Sequence, residues 1–200
     1  MSSINVLLVV ARKTVKNAAK DGDIRPYVAS SILVKVQRNF AVSGSAVKVN
    51  IEVVRPGTLK SLEDRLEMAE VLHGRSYFHI VYFDMHRRVG TPKGALKNSK
   101  FAFLYLSRQN LDGTIADGTA PATAREVGRI LKRHEVPIVV LNACESARPN
   151  CGDDANIAKA FAQEGVKNIL AMSFAVSENA VEKFFTSFYR NLICGRLNFS

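Results

Sequence analysis

Two apolar runs constrain this chain more than any other feature, and each ends in a reactive side chain. The first is Tyr77-Phe78-His79-Ile80-Val81-Tyr82-Phe83-Asp84-Met85-His86. The second is Val136-Pro137-Ile138-Val139-Val140-Leu141-Asn142-Ala143-Cys144-Glu145-Ser146. Their length and their β-branched and aromatic content are those of strands buried on both faces, as in a parallel sheet. In open parallel α/β sheets, functional groups sit just past the carboxyl ends of the strands. The pattern therefore offers the imidazole of His86 and the thiol of Cys144 at one edge of one sheet, the parts of a cysteine nucleophile with a histidine partner.

The remaining segments supply neighbours for these strands. Ile4 to Ala11 reads as a buried strand, and Pro26 to Phe40 as a helix with Val28, Ile32, Val36 and Phe40 on one face. Ala46 to Val54 sets Val47, Val49, Ile51 and Val53 against Lys48, Asn50 and Glu52, as in a half-exposed strand near a sheet edge. Thr58 suits the N-cap of a helix bearing Leu59, Leu62, Leu66, Ala69 and Leu72, which Gly74 ends. Phe101 to Leu106 is a further strand, too close to the His86 strand for a helical crossover, so a hairpin-type, locally antiparallel excursion is expected. Asn110 to Pro121 is dense in turn residues and reads as a loop.

Thr123 then caps a helix through Lys132, with Val127, Ile130 and Leu131 inward. After the Cys144 strand, Asp153 or Asp154 caps a helix to Gln163 closed by Gly165. Asn168 to Met172 reads as a strand, and Ser177 caps a last helix to Ile193. Phe184, Phe185, Phe188, Leu192 and Ile193 are spaced to bury one face of it. This order predicts one domain over residues 1–200, an α/β three-layer sandwich with a mostly parallel sheet. The chain stops soon after its last helix, so its C-terminal end is expected to be truncated from a longer parent.

Composition narrows the function classes. A 200-residue chain fills one domain and buries roughly 70% of its unfolded surface. Its 47% hydrophobic and 23% charged residues are ordinary for a soluble globular protein, and no apolar run reaches a membrane span. Met1-Ser2-Ser3-Ile4-Asn5-Val6 lacks the features of a signal peptide. Cys144, Cys151 and Cys194 show no ligand spacing, so reduced thiols in the cytoplasm are expected and no metal site is read. Neither GxGxxG nor GxxxxGK[ST] occurs, so no cofactor is expected. The net charge of +10 is scattered, without a nucleic-acid-binding module, which argues against nucleic acid as main partner. Arg87, Arg88, Lys93, Lys97, Lys100 and Arg108 do crowd the stretch after His86, either as a solvated loop or as a rim attracting acidic peptide.

The thiolate is the nucleophile, and an isolated cysteine is mostly protonated at neutral pH. His86 is placed to hold the thiol proton and return a proton to the leaving amine. The backbone N–H groups of Cys144 and Arg87 are the candidate oxyanion donors. Asn142 and Asp84 are the nearest polar candidates to line a substrate pocket. The other histidines fit structural roles: His73 and His134 at helix ends, His79 within a strand.

Beyond these chemical features, the chain resembles a CHAT domain, the caspase-like peptidase fold often found beside tetratricopeptide repeats. The resemblance is carried by His79–His86, Ala124-Arg125-Glu126-Val127-Gly128-Arg129-Ile130-Leu131 and Val139-Val140-Leu141-Asn142-Ala143-Cys144-Glu145-Ser146-Ala147. Ala158-Lys159-Ala160-Phe161-Ala162-Gln163-Glu164-Gly165-Val166 and Ala171-Met172-Ser173 continue it in order. It implies a caspase-like α/β/α sandwich in which His86 is general acid/base and Cys144 the nucleophile of an endopeptidase. Its implied partners are a protein or peptide substrate and, in a longer parent, tetratricopeptide-repeat or other signalling domains. After the histidine the family pattern has glycine, where this chain has Arg87. A cysteine endopeptidase and a catalytically silent interaction or signalling module both remain open at this stage.

Overall fold

The computed structural model describes residues 3–11, 35, 38, 48–90, 101–142, 157–171, 183, 184, 186–188 and 191, with the backbone alone for His86–Gly90 and Asn142. In chain order the elements are β1 (Ser3–Val10), β2 (Lys48–Val54), α1 (Leu59–His73), β3 (Ile80–Asp84), β4 (His86–Gly90) and β5 (Phe101–Gln109). They continue with β6 (Ile115–Thr123), α2 (Ala124–Arg133), β7 (Ile138–Asn142), α3 (Ile157–Gln163) and β8 (Asn168–Ala171). Lys35 and Arg38 are helical, and so are Lys183, Phe184, Thr186, Ser187, Phe188 and Asn191. They fall within the two helices expected over Pro26–Phe40 and Ser177–Ile193.

β2, β1, β3, β7 and β8 lie side by side in that order, all parallel. The connections β2 to β3, β3 to β7 and β7 to β8 move the same way across the sheet. The right-handed preference of such crossovers sends their helices to one face. There Leu62 and Leu66 of α1, Val127, Ile130 and Leu131 of α2, and Ile157 and Phe161 of α3 meet Leu7, Val9, Val81, Phe83, Val139 and Leu141. The alternate strand residues Val6, Leu8, Ile80, Tyr82, Ile138 and Val140 point the other way and are buried too. Burial on both faces is what makes these strands continuous apolar runs, and each large side chain so buried contributes about 1.5–3 kcal/mol.

The helices begin and end by local chemistry. The Thr58 hydroxyl accepts the Ser61 N–H at the start of α1, and Gly74 closes it at φ 89°. Thr123 and Glu126 form a reciprocal capping box at the start of α2. Gly165, at φ 91°, follows α3.

The antiparallel excursion after β3 is present but larger than expected. β4, β5 and β6 form a three-stranded antiparallel sheet, whose Ala102, Leu104, Leu106 and Ala122 join the same core as Met85. The stretch Asn110–Pro121 is thus not one loop: only a turn separates β5 from β6, and the strand resumes at Ile115. Two apolar assignments also change. Val53 is 56% exposed while Val54 on the opposite face is in the core, because that is the face α1 covers. Leu72 is 62% exposed, one turn beyond the last residue of α1 buried against the core, Ala69.

Candidate active site

β3 and β7 are adjacent and parallel in register, with Ile80 opposite Ile138 and Asp84 opposite Asn142. Both therefore end at the same edge of the sheet. β1 ends there as well, with Val10 opposite Asp84 and the Ala11 N–H donating to the Asp84 carbonyl at 3.1 Å. His86 lies two residues past Asp84. It is not a loop residue but the first residue of β4, opposite Tyr105 of β5. Arg87 follows within the same strand, opposite Leu104. Asp84 is only 1% exposed, so its carboxylate lies beneath the surface of the edge. Asn142 is the last residue of β7. Cys144 follows it by two positions and lies outside the described residues, as do Cys151, Cys194 and the expected caps Asp153 and Asp154.

The other histidines are held at the opposite edge or at helix ends. His79 precedes β3, and its Nδ1 accepts the Asn5 N–H at 3.0 Å. Burial holds its pKa below the usual histidine value. His73 stacks on Tyr77, ring centroids 4.1 Å apart. His134 caps α2 through its N–H to the Ile130 carbonyl, and its Nδ1 is 2.7 Å from Glu70 Oε2 on α1. Glu70 also takes the Arg75 Nε–H at 2.9 Å, and Arg75 first, then His134, hold its carboxyl below the usual range. This group ties α1 to α2 away from the His86 edge. Among the described residues, no three His, Cys, Asp or Glu side chains gather as metal ligands. Among them, too, no helix is long and apolar enough to cross a membrane.

The family model described as CHAT domain matches residues 7–197. This chain belongs to the CHAT domain family. No curated protein matches it. The crystal structure of protein GSU0716 from Geobacter sulfurreducens superposes on 96% of this CHAT domain at a TM-score of 0.42 and 12% identity. This chain spans 66% of that protein's chain.

One part of the CHAT edge was not read from the sequence. Between β2 and α1, Gly57 donates its N–H to the Val10 carbonyl at 2.8 Å and accepts the Ser107 N–H at 2.9 Å. The buried Thr58 hydroxyl lies 3.3 Å from Gln109 Oε1. The signal available was the Pro56-Gly57 dipeptide, which marks a turn but does not say against what the turn packs.

Proposed function

We propose that this CHAT domain is a cysteine endopeptidase cleaving a protein or peptide substrate through a His86/Cys144 dyad. The observation that carries the reading is the pairing of Asp84 with Asn142 on adjacent parallel strands. His86 and Cys144 each follow a member of that pair by two residues. His86 takes the thiol proton, and the thiolate adds to the scissile carbonyl carbon. The N–H groups of Cys144 and Arg87 hold the resulting oxyanion. Collapse expels the amine with a proton from His86, leaving a thioester that water, deprotonated by His86, hydrolyses to free acid and thiol. Of the two polar residues expected to line a substrate pocket, Asp84 is buried, so direct substrate contact is assigned to Asn142. The setting is cytoplasmic, beside tetratricopeptide-repeat or other signalling domains of a longer parent chain.

A peptide-library cleavage screen tests this. Cleavage abolished by Cys144→Ala and strongly reduced by His86→Ala supports it; cleavage by neither the chain nor its variants refutes it. One observation favours a second reading, a catalytically silent interaction module. Arg87 sits in strand β4, opposite Leu104, where the family pattern has the conformationally freer glycine. Equal, sluggish alkylation of Cys144, Cys151 and Cys194 would favour that module.

A further inference from the structure

We propose that Gly57 is a positioning residue for the dyad, fastening the antiparallel sheet that begins at His86 to the parallel sheet that leads to Cys144; this rests on the endopeptidase reading. Gly57 closes a ring of backbone contacts. Its N–H donates to the carbonyl of Val10, the last residue of β1, at 2.8 Å. Val10 stands opposite Asp84 at the end of β3. Two residues further on, His86 opens β4 opposite Tyr105. Two residues past Tyr105, Ser107 donates its N–H back to the Gly57 carbonyl at 2.9 Å. Met85 and Leu106, both fully buried, belong to the two arms of this ring. The position of β4 relative to the end of β3 is therefore held from both sides.

Only glycine fits at the closing point. A Cβ on Gly57 would stand 2.8 Å from the Val10 carbonyl oxygen, 2.9 Å from its carbon and 3.0 Å from Val9 Cγ1. Two of these neighbours are backbone of a central strand and cannot swing aside. Any side chain pushes Gly57 off the end of β1 and, through Ser107, displaces β5 and with it β4. Displacement of a catalytic group by about 1 Å is enough to cost about 10²-fold in rate.

The test compares alkylation of Cys144 by iodoacetamide across pH in the wild-type chain, Gly57→Ala and Ser107→Pro, with Ile80→Val as a control. Ser107→Pro removes the donor on the other side of the ring. The Ser107 N–H is directed to Gly57, so the donor that proline removes is the one closing the ring. Ile80→Val loosens the core at the opposite end of β3. Thermal midpoints are measured alongside. The expected result is that Gly57→Ala and Ser107→Pro slow Cys144 alkylation by up to about 10²-fold and remove the pH dependence that His86→Ala also removes. Ile80→Val lowers the midpoint without changing that profile. A folded Gly57→Ala or Ser107→Pro chain with the wild-type profile overturns the role of Gly57, as does equal slowing by Ile80→Val. A wild-type Cys144 no faster than Cys151 and Cys194, and indifferent to His86→Ala, overturns the dyad itself, a failure visible before position 57 is altered.

Discussion

Asn5 and His79 bond each other in both directions at the start of β1 and β3. The Asn5 N–H donates to His79 Nδ1 at 3.0 Å, and the His79 N–H donates to the Asn5 carbonyl at 2.9 Å. The Asn5 side chain adds two bonds, donating to the Tyr77 carbonyl and accepting from Asn50 Nδ2.

This pairing makes stability depend on pH. Nδ1 can accept only while unprotonated, and burial lowers the folded-state pKa of His79. Above about pH 6.5 the ring is neutral in both folded and unfolded chains, and the contribution is fully present. As pH falls below that value the unfolded chain takes up the proton first, so stability drops. Urea midpoints from pH 7.5 down to 5 should decline for the wild type and decline less for His79→Asn, which keeps an acceptor but does not titrate. Parallel curves for the two chains would contradict the assignment.

Gly128 of α2 lies against Phe161 of α3 and against Glu164, just past the end of that helix. A Cβ there would meet Glu164 Cβ and Phe161 Cδ1 at 3.1 Å. Phe161 is fully buried and stacked on Phe83, so it has little room to yield. Gly128→Val should destabilise by about 1–3 kcal/mol, as overpacking does, read as a lower urea midpoint at unchanged slope.

Thr123 carries the start of α2. Its hydroxyl accepts the Glu126 N–H at 3.1 Å while Glu126 Oε2 accepts the Thr123 N–H at 2.7 Å. Thr123→Ala should cost about 1 kcal/mol. Glu126→Ala in the same background should then cost less than it does alone, since the two act reciprocally. Additive losses would show that the box is not coupled.

At the proposed site, Arg87→Gly restores the residue of the family pattern. If the arginine restrains the oxyanion donor, cleavage should rise by up to about 10²–10³-fold with no gain in thermal midpoint. An unchanged rate would mean that β4 presents the Arg87 N–H as well as glycine does.

The parallel sheet was readable because its strands are buried on both faces, which leaves runs such as Ile138–Leu141 with no polar interruption. The caps at Thr58, Gly74 and Thr123 were readable because they are local chemistry. β6 was not. Ile115–Thr123 contains Gly118 and Pro121 and few large apolar residues, and it is a strand because β5 pairs with it. At an outer strand such residues are tolerated, so propensity says little. β4 was hidden for a related reason: His86 looked like the end of one strand when it is the beginning of the next. The shared edge of the candidate site was legible from the two runs. The Gly57 ring was not, since it joins residues far apart in the chain through backbone atoms alone.

The strand order also sets a sequence of events during synthesis. β3 lies between β1 and β7, so its first neighbour is made before it and its second only after β4, β5, β6 and α2 have been translated. Until then a strand buried along its whole length in the folded sheet has one edge open to any other extended chain nearby. Nascent or truncated chains ending before Ile138 should therefore associate with one another or with chaperones, and release should coincide with the arrival of β7, the strand that also leads into Cys144.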